Sequence, residues 1–110
     1  MRRFSASELN QHLTQCEAQG REHPLLLDVR EPWEFEKCQL KGSILIPMRQ
    51  IPDALDDLDP NKEIVVICHH GIRSRQVAYY LEQQGFDKLI NLEGGVESWA
   101  REVDPKMDRY

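Results

Sequence analysis

Cysteine is scarce in this chain. Three are present in 110 residues, at the irregular positions 16, 38 and 68. An odd and unevenly spaced set builds no disulfide framework and supplies no Cys-x-x-Cys pair, so a reducing compartment, most simply the cytosol, is expected. Long hydrophobic runs are also missing. None approaches the ~20 apolar residues needed to cross a bilayer. The opening Met1-Arg2-Arg3-Phe4-Ser5 has two arginines with no apolar stretch behind them, which is not the pattern of a secretory signal. Positive charge is not in excess. The formal net charge of −5 argues against non-specific binding to nucleic acid or to an anionic membrane. There is no internal repeat, no low-complexity tract, and no Gly-x-Gly-x-x-Gly or Walker pattern. What remains is an ordinary globular balance, 40% hydrophobic and 30% charged, in a length suited to one domain over residues 1–110.

Within that length, short apolar runs alternate with helical patterns. Ser5 to Cys16 reads as a helix, with Leu9, Leu13 and Cys16 on one face and Ser5 with Glu8 as a capping box. Leu25-Leu26-Leu27-Asp28-Val29 is the continuous run of a strand buried on both faces. Pro32 to Lys37 suits a short helix with proline in its first turn. Ile44-Leu45-Ile46 is a second strand, and Ile51, Leu55 and Leu58 repeat at helical spacing before Pro60. Glu63 to Ile67 is a third strand, Ser74 to Gln84 a helix ended by Gly85, Lys88 to Leu92 a fourth strand, and Val96, Trp99 and Val103 mark a last helix. A fifth strand is weakly signalled at Arg2–Phe4. The alternation predicts an α/β fold with a mainly parallel sheet of about five strands and helices on both faces. Residues 104–110 are polar and are expected to fray.

In such folds ligands bind beyond the carboxyl ends of the strands. Cys68 stands at one such end, in Cys68-His69-His70-Gly71-Ile72-Arg73-Ser74. A loop there aims backbone N–H groups inward, and the following helix adds the positive end of its dipole. A thiol held in that place is expected to lose its proton easily and to act as a nucleophile. Gly71 permits the tight turn. Arg73 offers a planar donor fork to a sulfonate or phosphate-like group, and Ser74 is placed to cap the helix or donate to the thiolate. His69, His70 and Ile72 complete the lining, with Arg75 nearby. The loop therefore reads as locally basic, suited to a small anionic substrate. A plain buried cysteine is the competing reading. A metal site is not expected, since adjacent Cys68, His69 and His70 do not converge on one ion and no further ligand pair accompanies them.

These segments together resemble the rhodanese-like sulfurtransferase family over nearly the whole chain. Leu27-Asp28-Val29-Arg30-Glu31 is similar to the family's Asp-x-Arg segment, and Glu34-Phe35 with Leu40-Lys41-Gly42-Ser43-Ile44-Leu45-Ile46-Pro47 to its next stretch. Ile67-Cys68-x-x-Gly71-x-Arg73-Ser74 is similar to the active-site loop, and Leu92-Glu93-Gly94-Gly95 with Trp99 to the closing motif. The resemblance implies a five-stranded α/β domain and a ping-pong reaction. Cys68 takes a sulfur from a thiosulfate-like donor, becomes a persulfide, and passes the sulfur to cyanide or a thiol, with no cofactor. A persulfide relay or binding module serving a protein partner is the alternative. Phosphatases and arsenate reductases sharing this fold use a loop one residue longer. With four residues between Cys68 and Arg73, the loop here suits a single sulfur atom better than a phosphate.

The chain departs from the family where Cys38-Gln39 precede Leu40. Cys38 reads first as a small residue filling a turn, and second as a thiol able to resolve the persulfide. Asp28 and Glu34 are expected to pair with Arg30 and pin its loop. Gly94 and Gly95 suit a tight strand-to-helix turn, Cys16 and Trp99 suit the core, Trp33 suits a pocket rim or sheet edge, and His12 and His23 suit solvent.

Overall fold

The computed structural model describes residues 1–110. It contains one sheet of five strands: β1 (Arg2–Phe4), β2 (Leu25–Asp28), β3 (Ile44–Leu45), β4 (Ile64–Ile67) and β5 (Leu89–Leu92). Their order is β1-β5-β4-β2-β3, and every pair is parallel. The helices are α1 (Ala6–Ala18), α2 (Pro32–Lys37), α3 (Ile72–Gln83) and α4 (Gly95–Glu102), with a 3-10 helix over Met48–Asp57.

β4 and β5 are buried along their whole length, because helices cover both faces of a parallel sheet. On one face, Val77, Ala78 and Leu81 of α3 join Ile51 and Leu58 over Leu27, Ile64 and Val66. On the other, Ala6 and Leu9 of α1 join Val96 and Trp99 of α4 over Leu26, Val65, Ile67 and Ile90. Ser5 caps α1 through the reciprocal bonds with Glu8 that the spacing predicts. The spacing of Ile51, Leu55 and Leu58 produces a 3-10 helix carrying Pro52 inside it, and Ile51 and Leu58 still reach the core.

The strand order explains the site's position. The connection after β2 runs outward to β3, while the connection after β4 runs the other way to β5. The loops leaving β2 and β4 diverge, and a crevice opens between them at a topological switch point. The two strands are in register there, with Asp28 opposite Ile67. The Asp28–Arg30 segment is thereby set beside Cys68.

One expectation is corrected. His12 is not solvated: its Nε2 lies 2.6 Å from a Glu63 carboxylate oxygen, and its ring packs edge-on against Phe4. Residues 104–110, where fraying is expected, form no helix or strand and lie against the rest of the domain. Asp104 N–H donates to Trp99 C=O, Met107 and Tyr110 pack against the α1/α4 core, and Tyr110 reaches the site.

Leu27 is fully buried in the centre of the α3 face. Leu27→Ala removes that packing and leaves a cavity, so the unfolding free energy should fall by about 2–5 kcal/mol in a denaturant titration.

Candidate functional site

Cys68 follows β4 and is almost completely buried. Its Sγ accepts the Gly71 N–H at 3.0 Å, and the thiol donates to Ser74 Oγ at 3.3 Å. Gly71 holds φ +96°, and a Cβ there would meet Gly94 N at 3.0 Å and Leu92 O at 3.2 Å. Glycine is required on both counts, backbone conformation and space. The loop is gripped from behind by α4. The Val96 N–H donates to Cys68 C=O at 2.9 Å and the Glu97 N–H to His69 C=O at 3.1 Å. A Cβ on Gly95 would lie 2.3 Å from both of those carbonyl oxygens, so only glycine allows the approach.

The grip orients the cradle. In a trans peptide the N–H points opposite to the C=O. Turning the Cys68 and His69 carbonyls toward α4 therefore turns the N–H groups of His69 and His70 away from it. The N–H groups of His69, His70, Ile72, Arg73 and Ser74 donate to no acceptor in the protein. Those of Ile72, Arg73 and Ser74 belong to the first turn of α3, where orphan donors and the helix dipole favour a partial negative charge.

Ser74 does not cap α3. It lies inside the helix, whose N-cap is Gly71, and its hydroxyl donates to Asn91 Oδ1. Asn91 also donates to Gly71 C=O at 3.2 Å and to the Glu93 carboxylate. One buried amide in β5 thus ties the Ser74 hydroxyl to the loop backbone. A polar residue inside the apolar run Leu89-Ile90-Asn91-Leu92 was the sequence signal for this role, since a buried amide needs partners.

Arg73 does not hold its fork open. Its Nη1 and Nη2 donate to the two carboxylate oxygens of Glu34 at 2.7 and 2.8 Å. Glu34 was expected to pair with Arg30, but only its backbone C=O accepts from Arg30. Arg30 is fully buried and donates from Nε and Nη2 to Asp28, at 2.9 and 2.7 Å. It also donates to Cys38 C=O at 2.6 Å. Cys38 Sγ sits 3.7 Å from Arg30 Nη1, so Cys38 is a buried neighbour of this ion pair. Tyr110 joins the two pairs: its hydroxyl accepts from Arg30 Nη1 at 2.8 Å and donates to Glu34 Oε2 at 2.7 Å.

The ionisation states follow. The Arg73 hydrogen bonds, with the Glu31 N–H and the Tyr110 hydroxyl, pull the Glu34 carboxyl down to about 2 against the opposing effect of burial. Burial pushes the Tyr110 hydroxyl well above its usual range. Burial and the neighbouring His70 lower His69, which favours the neutral imidazole.

Around the loop, the His69 ring stacks on His70 and on Tyr110, each with centroids 3.9 Å apart. Trp33 packs edge-on to Tyr110 at 5.4 Å. Trp33 and Ile72 are exposed large apolar residues on this rim. Cys68, His69, His70, Gly71, Ile72, Arg73 and Ser74 are therefore all at one place. Asn91 and Tyr110 are additions that sequence reasoning missed, as is the pairing of Glu34 with Arg73.

Gly95→Ala should lower the melting temperature and raise the alkylation rate of Cys68 by iodoacetamide, because the left-handed backbone alone costs ~1–2 kcal/mol before the clash with the loop carbonyls. Glu34 also sets an acid limit. Its folded-state pKa lies below the ordinary 4.5, so the stability it contributes is present above that range and is lost as pH falls toward 2. Up to ~3 kcal/mol is involved. Denaturant midpoints measured from pH 5 to pH 2 should show this loss in the native protein and its absence in Glu34→Gln.

A family model for the Rhodanese-like domain matches residues 5–102. The Pseudomonas syringae protein named thiosulfate sulfurtransferase GlpE is 35% identical over 77% of this chain and 80% of its own length. An Arabidopsis thaliana protein, Rhodanese-like/PpiC domain-containing protein 12, chloroplastic, is 42% identical over 77% of this chain, which spans only 30% of that relative's length. Among solved structures, a rhodanese-like domain protein from Staphylococcus aureus superposes with a TM-score of 0.80 at 29% identity, covering 100% of this chain and 99% of its own. The match extends from the α1 cap through the Cys68 loop to the end of α4, and on it the chain belongs to the rhodanese-like domain family.

Proposed function

We propose that the protein is a sulfurtransferase that moves a sulfane sulfur from a donor to a thiophilic acceptor through a persulfide on Cys68. One observation carries this reading. A buried thiol sits in a loop whose N–H groups, except that of Gly71, have no acceptor in the protein. That is a set of donors sized for one extra polarisable atom carrying negative charge.

In the first half-reaction the Cys68 thiolate attacks the outer sulfur of the donor. The Sγ–S bond forms, the donor's own S–S bond breaks, and the remainder leaves with that electron pair. From thiosulfate the leaving group is sulfite. The loop N–H groups hold the terminal sulfur of the resulting persulfide. In the second, cyanide or a thiol attacks that terminal sulfur, and Cys68 departs as a thiolate. Sulfur itself is the carried group, so the proposed cycle uses no cofactor. Names of relatives, such as thiosulfate sulfurtransferase, support the same class of reaction. Three unpaired thiols support a cytoplasmic setting, and no helix is long and apolar enough to cross a membrane.

A second reading, a persulfide relay to a protein partner, is favoured by Trp33 and Ile72, which stand exposed beside the loop. A phosphatase would also need a general acid for its leaving group, and Asp28 is the carboxylate at the end of β2 beside the loop. Asp28 is fully buried and both its carboxylate oxygens are occupied by Arg30, so it does not face a leaving group at the loop.

Incubation with thiosulfate or an organic persulfide should add one sulfur to the intact mass. Cyanide should remove it, and Cys68→Ser should never acquire it. Phosphate release from an aryl phosphate without any sulfur gain would defeat the proposal. Loading from a protein persulfide alone would move the assignment to the relay.

A further inference from the structure

The mouth of the Cys68 site is not basic, although its sequence is rich in arginine. Each cation near it is matched by a carboxylate: Arg73 by Glu34, Arg30 by Asp28, Arg75 by Glu93, Arg49 by Glu31 and Arg109 by Glu97. The Arg73 pair matters most, because Arg73 stands in the loop itself and its side chain is still about a third exposed. Glu34 takes both guanidinium nitrogens end-on and is itself nearly buried. Its carboxylate accepts the Glu31 N–H at 3.0 Å and the Tyr110 hydroxyl as well, so four donors fix it in place. Tyr110 is held in turn by Arg30 and by its stack on His69. A carboxylate so fixed does not step aside for an incoming anion.

We propose that Glu34 and Tyr110 are specificity residues of the Cys68 site: by closing Arg73 into a fixed carboxylate pair they withdraw its charge from incoming donors, so the site disfavours the doubly charged thiosulfate and favours an organic persulfide. This rests on the sulfurtransferase reading above and narrows its donor. Thiosulfate must bring a sulfonate past a carboxylate that has already neutralised the nearest guanidinium. A persulfide R–S–SH brings no such group, and its organic part meets the exposed faces of Trp33 and Ile72 and the His69–Tyr110 stack. The transfer balances without another reactant. The Cys68 thiolate bonds to the terminal sulfur, the S–S bond of the donor breaks, and RS⁻ leaves with the electron pair while the SH proton stays with the transferred sulfur.

The test compares second-order rate constants for sulfur loading of Cys68 by thiosulfate and by cysteine persulfide, read by intact mass in single turnover at low salt. The native protein should prefer cysteine persulfide. Glu34→Gln keeps the shape and removes the charge, and should raise the thiosulfate-to-persulfide ratio about tenfold, an effect that shrinks at high salt. Tyr110→Phe keeps the ring stack and loosens Glu34, and should shift the ratio the same way by about twofold to threefold. The two variants cover each other should one fold poorly, as judged by thermal melting. A native preference for thiosulfate, or a ratio unmoved in the folded variants, overturns the proposal alone. Failure of both donors to load a Cys68 that iodoacetamide still alkylates overturns the sulfurtransferase reading and this proposal with it.

Discussion

The hold of α4 on the carbonyls of Cys68 and His69 is the interaction on which the site depends. Two hydrogen bonds, from Val96 and Glu97, fix two consecutive peptide planes. They do so because Gly95 brings the start of α4 against the loop without a Cβ between them. With those carbonyls turned back, the adjoining N–H groups have nowhere to point but away from α4. The cradle is therefore made by main chain and held from the far side by main chain, and side chains add to it without building it. A thiol at the end of an ordinary buried strand becomes a candidate sulfur carrier through that arrangement.

Charge is organised around the cradle in a different way. The arginines that follow Cys68 are each neutralised, and the bonds that neutralise them connect distant parts of the chain. Glu34 from α2 reaches Arg73 of α3, and Tyr110 reaches both Glu34 and the buried Asp28–Arg30 pair. A buried ion pair costs desolvation and survives only where further hydrogen bonds satisfy it. The Cys38 carbonyl, the Glu34 carbonyl and the Tyr110 hydroxyl supply those bonds to Arg30. This network fixes the wall of the crevice between β2 and β4, which is where the strand order places it.

The fold was legible because each inner strand is a short, mostly apolar run between turn signals, and because the helices carry their own start signals, such as Ser5 with Glu8 and Pro32. The core of the site was legible for a related reason. Cys68, Gly71, Arg73 and Ser74 lie within one turn and act partly through local backbone. The missed parts are long-range. The partner of Arg73 lies 39 residues away and that of Glu34 lies 76 residues away, and no local pattern selects Glu34 over Glu31 or brings Tyr110 back from a polar tail. The same limit made the loop look basic, since residue type shows the charge of Arg73 and Arg75 but not its cancellation. Asn91 was readable in principle as the one polar residue in a buried strand.

In the proposed function the folded chain already presents the loop N–H groups to the sulfur on Cys68. Backbone amide resonances recorded before and after sulfur loading test it most directly. Downfield shifts are expected only at the amides of residues 69–74, with those of Val96 and Glu97 unmoved because α4 holds the loop in one place throughout. Unshifted loop amides, or a rearrangement that carries Val96 and Glu97 with it, would contradict it.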